Sequence, residues 1–166
     1  MIRHLFIFLL ILAGPELTNA QCEVSERVFP DGTMYYRAET LLFYRTASFQ
    51  LSGHIVTDKE NYFLGLSPLP FPEKTKGSKI KNDLTVVLKN DTTYTLKFYD
   101  SDYKSEDTSF SMLFIFSKKD LDAFKNNEVK EVKLNLGEGE STYVFRLHSD
   151  AIKIQLACFT KPKNKF

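Results

Sequence analysis

Leu84-Thr85-Val86-Val87-Leu88-Lys89-Asn90-Asp91-Thr92-Thr93-Tyr94-Thr95-Leu96-Lys97-Phe98 alternates large apolar and polar side chains on both sides of an Asn-Asp pair. Side chains along a strand point to opposite faces in turn, so a pairing shifted by one residue moves a whole apolar set to the other face. A two-residue Asn90-Asp91 loop would set Leu88 against Thr93 and separate Leu84, Val86 and Leu88 from Tyr94, Leu96 and Phe98. A three-residue loop instead pairs Leu88 with Tyr94, Val86 with Leu96 and Leu84 with Phe98; a five-residue loop keeps the same parity. The stretch is therefore expected to be an antiparallel hairpin with one buried face, which makes β-sheet the frame of the domain.

The same test on the last hairpin selects a two-residue Gly139-Glu140 loop, which pairs Leu136 with Tyr143, Leu134 with Phe145 and Val132 with Leu147. Glycine at the first central position suits a type II′ turn. Between the two hairpins Phe110 to Phe116 is almost entirely apolar, the pattern of a central strand buried on both faces. Ser117 with Asp120 three residues on makes a capping box, and Leu121 and Phe124 supply the apolar stripe of a short helix near 118–126. Ile152, Ile154, Leu156 and Cys158 alternate as a strand would, while Ile152, Leu156 and Phe159 fit one helix face. Ser149 and Asp150 are good N-cap residues, which favours a C-terminal helix near 149–159.

Toward the N-terminus, Cys22 to Phe29 reads as a strand, Pro30-Asp31-Gly32 as a turn, and the aromatic-rich Met34 to Tyr44 as a second strand. Phe49, Leu51 and Ile55 alternate around Gly53, which marks a bulge or a close approach of backbone, and Tyr62, Leu64 and Leu66 continue the pattern. Ser67-Pro68-Leu69-Pro70-Phe71-Pro72 cannot donate ladder hydrogen bonds at its prolines, and with the Lys-rich stretch to Asn82 it is the one long loop. About nine strands and two helices make an α+β domain, mainly antiparallel β, with a sandwich-like sheet; a lipocalin-like β-barrel is the alternative.

The chain of 166 residues opens on Arg3 and His4, runs through the apolar Leu5 to Leu12, breaks at Gly14-Pro15 and reaches Thr18-Asn19-Ala20. That order is expected of a secretory signal over 1–20, leaving a single β-rich domain over 21–160 and a basic tail over 161–166 that frays into solvent. Gln21 and Asn19 do not suit lipidation of Cys22. No later stretch nears the roughly 20 apolar residues of a membrane helix, so no integral membrane segment is expected after signal cleavage. With 22 basic and 21 acidic side chains the formal charge is +1, which gives no reason to expect a nucleic-acid partner. The chain holds two cysteines, Cys22 and Cys158. In an oxidising compartment they are expected to form one disulfide joining the chain ends.

Chemistry-bearing residues are sparse. His148-Ser149-Asp150 collects three triad residue types, yet consecutive side chains diverge, so a helix cap explains them better. His54 leaves room for a hydrolase only if a distant Ser or Asp meets it in space. Asp100, Asp102, Glu106 and Asp107 lack the glycine and the alternation of a calcium loop and read as a solvated hairpin end. Asn90-Asp91-Thr92 is a glycosylation sequon in an expected turn. The aromatic set is 15 Phe, 8 Tyr and no Trp, of which Tyr35, Tyr36, Tyr62 and Tyr103 are the candidates for a contact patch. No catalytic residue, metal or cofactor is assigned.

The sequence around Ala20-Gln21, the segment Tyr35-Tyr36-Arg37 through Phe43-Tyr44, the Pro68-Leu69-Pro70-Phe71-Pro72-Glu73 loop and Leu156-Ala157-Cys158-Phe159 resemble the uncharacterised small exported proteins of Bacteroidota. The resemblance implies a periplasmic or secreted address and transfers no activity and no site residues. The function expected is that of an exported, non-enzymatic domain that binds an envelope or extracellular macromolecule. A carrier of a small apolar ligand is the alternative, and an unrecognised hydrolase the second.

Overall fold

The computed structural model describes residues 23–28, 32–73, 80–104, 109–137 and 139–160. The expected signal, Cys22, Pro30, Asp31, Glu106, Asp107 and the basic tail lie outside the described residues. The chain forms β1 (Val24–Val28), β2 (Met34–Ala38), β3 (Leu41–Arg45), β4 (Gln50–Thr57), β5 (Tyr62–Leu69), β6 (Leu84–Leu88), β7 (Thr93–Lys104), β8 (Ser109–Ile115), α1 (Lys118–Asn126), β9 (Val129–Asn135), β10 (Glu140–Val144) and α2 (Ala151–Thr160). The ten strands make one antiparallel sheet in the order β1-β2-β4-β5-β8-β7-β6-β9-β10, with β3 paired to β4 beside β2. The fold is α+β, mainly antiparallel, and the sheet is open rather than a closed barrel. Its two flanks approach through rings: Phe43 stacks on Phe145 at 4.5 Å and Tyr44 meets Tyr143 edge-on at 5.5 Å.

Both helices form where the sequence places them. In α1 the Ser117 hydroxyl accepts from Asp120 N at 3.2 Å and the Asp120 carboxylate accepts from Ser117 N at 2.9 Å, so two orphan donors of the first turn are satisfied reciprocally. In α2, Ile154 N–H donates to Asp150 O, and Ile152 and Leu156 are buried in the core. The helices close one end of the curved sheet: Phe124 of α1 lies against Tyr94 and Phe116, and Phe159 of α2 lies against Tyr62.

The hairpin parity is as expected, but both registers differ. Leu84 pairs with Leu96 and Val86 with Tyr94, two residues closer to the turn than the apolar pattern alone suggests. The loop is Lys89-Asn90-Asp91: Asp91 N–H donates to Leu88 O, Leu88 N–H donates to Thr92 O, and Asp91 takes φ 62°. A hydrogen-bonded turn followed by a left-handed residue closes the loop with three residues between Leu88 and Thr92. Phe98 is therefore not opposite Leu84; its N–H is taken by the Asp83 carboxylate at 3.0 Å, and β7 passes to β8 as its partner. In the last hairpin Tyr143 pairs with Val132, and the connection runs from Leu136 to Gly139, with Gly137 at φ 101° and Gly139 at φ 136°. Two left-handed glycines make a four-residue loop where two residues were expected.

Four further expectations are corrected. Met34 to Tyr44 is two strands, because the chain breaks at Glu39-Thr40. The break at Ser67 falls later: β5 runs through Pro68, which pairs with Leu51, and this is tolerated because pairing with β8 has already ended at Leu66. β8 is central, but it buries one face only; Phe110, Met112 and Phe114 are in the core while Ser111, Leu113 and Ile115 are half-buried. Asp100 and Asp102 lie within β7 rather than after its end. The close approach expected at Gly53 is present: a Cβ there would lie 2.5 Å from the Phe43 ring and 2.7 Å from Gly65 O.

Gln155 repairs the break at Glu39-Thr40. β2 pairs with β4 only at Val56 and Thr57, and β3 only at Gln50 to Gly53, which leaves a gap at His54 and Ile55 on that flank of β4. The buried Gln155 side chain of α2 fills it, accepting from Ile55 N–H at 2.9 Å and donating to Glu39 O at 2.7 Å. A side-chain amide thus replaces a missing strand residue and ties α2 to the sheet. Gln155→Leu removes both bonds and strands a buried N–H, whose desolvation costs about 1–3 kcal/mol. A thermal midpoint lowered by several degrees is expected; an unchanged midpoint would show that the gap tolerates being dry.

Candidate functional site

The antiparallel registers place the turn after β3, the exit of β5 and the β9–β10 loop together at the end opposite the helices. There they enclose a cleft of about 480 Å³ lined by Phe49, Pro70, Phe71, Pro72, Glu73, Leu136, Gly139, Glu140, Ser141 and Tyr143. That volume is within the roughly 300 to 1,000 Å³ common for ligand pockets, but the lining is about equally polar and apolar, where most such pockets are mainly apolar. Each wall is held by its own hydrogen bonds. Phe49 caps a tight turn in which Thr46 N–H donates to Phe49 O at 2.8 Å and Phe49 N–H donates to the Thr46 hydroxyl at 3.0 Å. The proline wall is held by Tyr103, whose hydroxyl donates to Pro72 O at 3.0 Å and whose ring meets Phe71 edge-on. The third wall is fixed where Gly137 N–H donates to the Asn135 side chain and the Asn82 amide donates to Asn135 O.

The cleft is the opened end of the seam between β3 and β10. Toward the helices the seam is shut by the Phe43–Phe145 and Tyr44–Tyr143 ring pairs; toward Phe49 and Glu140 it widens. Phe49 is 49% exposed, one of seven large hydrophobic side chains exposed among the described residues, and of these seven it is the one that lines the cleft. Burial pushes the Tyr143 phenol up from its ordinary value, against the pull of a hydrogen bond to the Ser141 side chain, so the phenol stays protonated at neutral pH and can act as donor or acceptor.

The candidate contact residues are not gathered here. Tyr36 is buried and Tyr62 half-buried in one row across β2, β4 and β5, with Thr57 between them. Tyr35 lies on β2 opposite Arg27, and the Tyr103 ring lies tilted against Phe110 at 4.7 Å at the far end of β7. The four therefore do not form one exposed patch, and of them only Tyr103 bears on the cleft, as a support for Pro72. Phe49, Phe71 and Tyr143, which do line it, were not singled out from the sequence; the Pro70-Phe71-Pro72 run was the one local signal, and Phe49 read as part of a strand.

The remaining candidates separate in space. His54 is buried, with its Nε2 2.7 Å from where a Cβ on Gly65 would be, so the glycine makes room for the ring. His148 takes φ 50° in the turn before α2, and Ser149 does not cap that helix: its hydroxyl donates to Glu128 Oε2 at 2.8 Å. Among the described residues no group of three or more His, Cys, Asp or Glu side chains is placed to hold a metal ion, and no helix is long and apolar enough to cross a membrane. Asn90 stands at the hairpin tip with its side-chain oxygen accepting from Thr92 N–H at 3.1 Å. Cys158 is buried on α2, and Cys22 lies outside the described residues. No family model, no curated protein and no solved structure matches this chain.

Proposed function

We propose that the chain is an exported, non-enzymatic binding domain whose cleft between the β3–β4 turn, the Pro70–Pro72 wall and the β9–β10 loop receives an apolar group of an envelope or extracellular macromolecule. The observation that carries this reading is the exposed Phe49 on the rim of a cleft floored by Tyr143 and walled by Phe71, Pro70, Pro72 and Leu136. Aromatic groups that are rigid and already partly desolvated make binding anchors, because little conformational freedom is lost when they are covered. Export is supported by the basic, apolar and small-residue order of residues 1–20 and by the resemblance to exported Bacteroidota proteins.

A photo-crosslinking residue at Phe49 is expected to give a discrete adduct in the compartment where the protein resides, while the same residue at the exposed Asp122 of α1 gives none. Equal, diffuse labelling from both positions would sink the reading. A carrier of a small apolar ligand is the second reading, favoured by the volume of the cleft. Saturable fluorescence enhancement of the neutral probe N-phenylnaphthylamine, abolished in Phe49→Ser, is expected of the carrier and not of a site shaped for a macromolecule.

A further inference from the structure

We propose that β1 is a self-association edge: two copies of the chain pair antiparallel through β1 about a two-fold axis at Ser25, with Glu23 of each copy facing Arg27 of the other. β3 and β10 turn toward each other across the seam through the Phe43–Phe145 and Tyr44–Tyr143 rings. β1, by contrast, is the terminal strand of the sheet, and Glu23 and Ser25 to Val28 are exposed. It is also regular, with five consecutive pairs to β2 and neither a shift nor a proline.

The ladder decides which backbone groups are on offer. Glu39 N–H donates to Glu23 O, and the same register sets Ser25 against Arg37 and Arg27 against Tyr35, so Glu23, Ser25 and Arg27 turn their backbone groups toward β2. Val24, Glu26 and Val28 turn theirs to the open edge.

Charge then selects the register. Under a two-fold axis perpendicular to the sheet, facing residues share one side of it, so the centre of the pairing falls on a residue. A centre at Glu26 sets that carboxylate against its own copy, and a centre at Arg27 does the same with two guanidiniums. A centre at Val24 pairs Glu23 with Ser25 and makes no use of charge. A centre at Ser25 sets Glu23 against Arg27 twice, and Val24 of each copy exchanges both ladder bonds with Glu26 of the other. Glu23 and Arg27 are then a non-hydrogen-bonded pair, the kind in which side chains approach most closely.

Charges on an edge strand ordinarily keep other strands away, and here one register turns them into reciprocal pairs. Ser25, Arg27, Tyr35 and Arg37 share one side of the β1–β2 hairpin. Burial first, and the nearby Arg27 charge second, lower the Arg37 guanidinium from its ordinary value. Glu23 lies on that same side, so the incoming carboxylate offsets the repulsion between the two guanidiniums. An unrelated strand would find the same open backbone without the reciprocal charges. A contact of about six residues per copy is smaller than a standard interface, so the dimer is expected to be weak, with a dissociation constant of about 10 to 500 µM.

Sedimentation equilibrium of the purified, folded protein from about 10 µM to about 1 mM is expected to show a monomer–dimer equilibrium. Glu23→Arg and Arg27→Glu should each weaken it by about 5- to 50-fold, because each places like charges opposite one another twice. An equimolar mixture of the two variants should restore association, and so should the variant carrying both changes, since in each case every arginine again faces a glutamate. Glu26→Pro removes an outward N–H while leaving the bonds to β2 in place, and should abolish the dimer. Circular dichroism confirms that each variant is folded. A monomer throughout the range would overturn the edge. A dimer that survives Glu26→Pro would assign the contact to another surface and overturn it equally. Loss of the dimer in Glu26→Pro with no response to the charge variants, alone or mixed, would overturn the register centred on Ser25.

Discussion

Phe124→Ala is expected to lower the stability of the domain by about 3–5 kcal/mol, the range for removing a fully buried aromatic side chain. Phe124 is 0% exposed and joins α1 to the sheet through Tyr94 at 5.4 Å and Phe116 at 5.1 Å. Those rings come from β7 and from the end of β8, so their loss uncouples the helices from the end of the sheet they close. For a domain of this size the thermal midpoint should fall by about 10–15 °C. A fall equivalent to less than about 1 kcal/mol would show that α1 is an accessory and not the plug of that end. Because the cleft is at the other end, a crosslinking residue at Phe49 should give the same adduct from the folded fraction of this variant as from the parent.

The second large effect concerns the proposed bridge between Cys22 and Cys158. Closing a loop of about 137 residues stabilises by at most about 5 kcal/mol on the chain-entropy model, and removing such bridges costs about 2–5 kcal/mol. The described residues on either side of the bridge support it. Glu39 N–H donates to Glu23 O at 3.1 Å, and Glu39 O accepts from Gln155, so the residue next to Cys22 and the turn of α2 that precedes Cys158 both bond to one residue. Cys158 lies three residues beyond Gln155, on the same side of the helix. Cys158→Ser is expected to lower the midpoint by several degrees, and the parent treated with reductant should coincide with it. Thiol titration of the denatured protein, purified without reductant, should find no free thiol; two free thiols would remove the bridge.

Ser117→Ala offers a smaller, local check, expected to cost about 1 kcal/mol because the hydroxyl is one half of the capping box. A loss in that range with unchanged binding would separate helix capping from the cleft.

The alternation of Leu84-Val86-Leu88 and Tyr94-Leu96-Phe98, the Ser117–Asp120 box and the three-to-four spacing of Ile152, Leu156 and Phe159 are local patterns. The first two determined by themselves a mainly antiparallel sheet and the first short helix. The third competes with the strand-like alternation of Ile152, Ile154, Leu156 and Cys158, so the second helix was favoured only by Ser149 and Asp150 until the structure decided it. Parity too is local, since a slip of one residue would turn an apolar face to solvent. A slip of two keeps every face, so the register was decided by turn backbones, by Asp91 at φ 62° and by Gly137 and Gly139, and by Asp83 taking the Phe98 N–H. The break between β2 and β3 has no local signature, because the amide that mends it is more than a hundred residues away in α2. The cleft is of the same kind. Its described walls come from residues 49, 70–73, 136, 139–141 and 143, which no spacing rule connects, and only the antiparallel order of the strands returns them to one end of the sheet. Tertiary structure therefore decided where the exposed Phe49 stands and which side chains stand with it, because those contacts depend on strand order and turn geometry rather than on any segment's own periodicity.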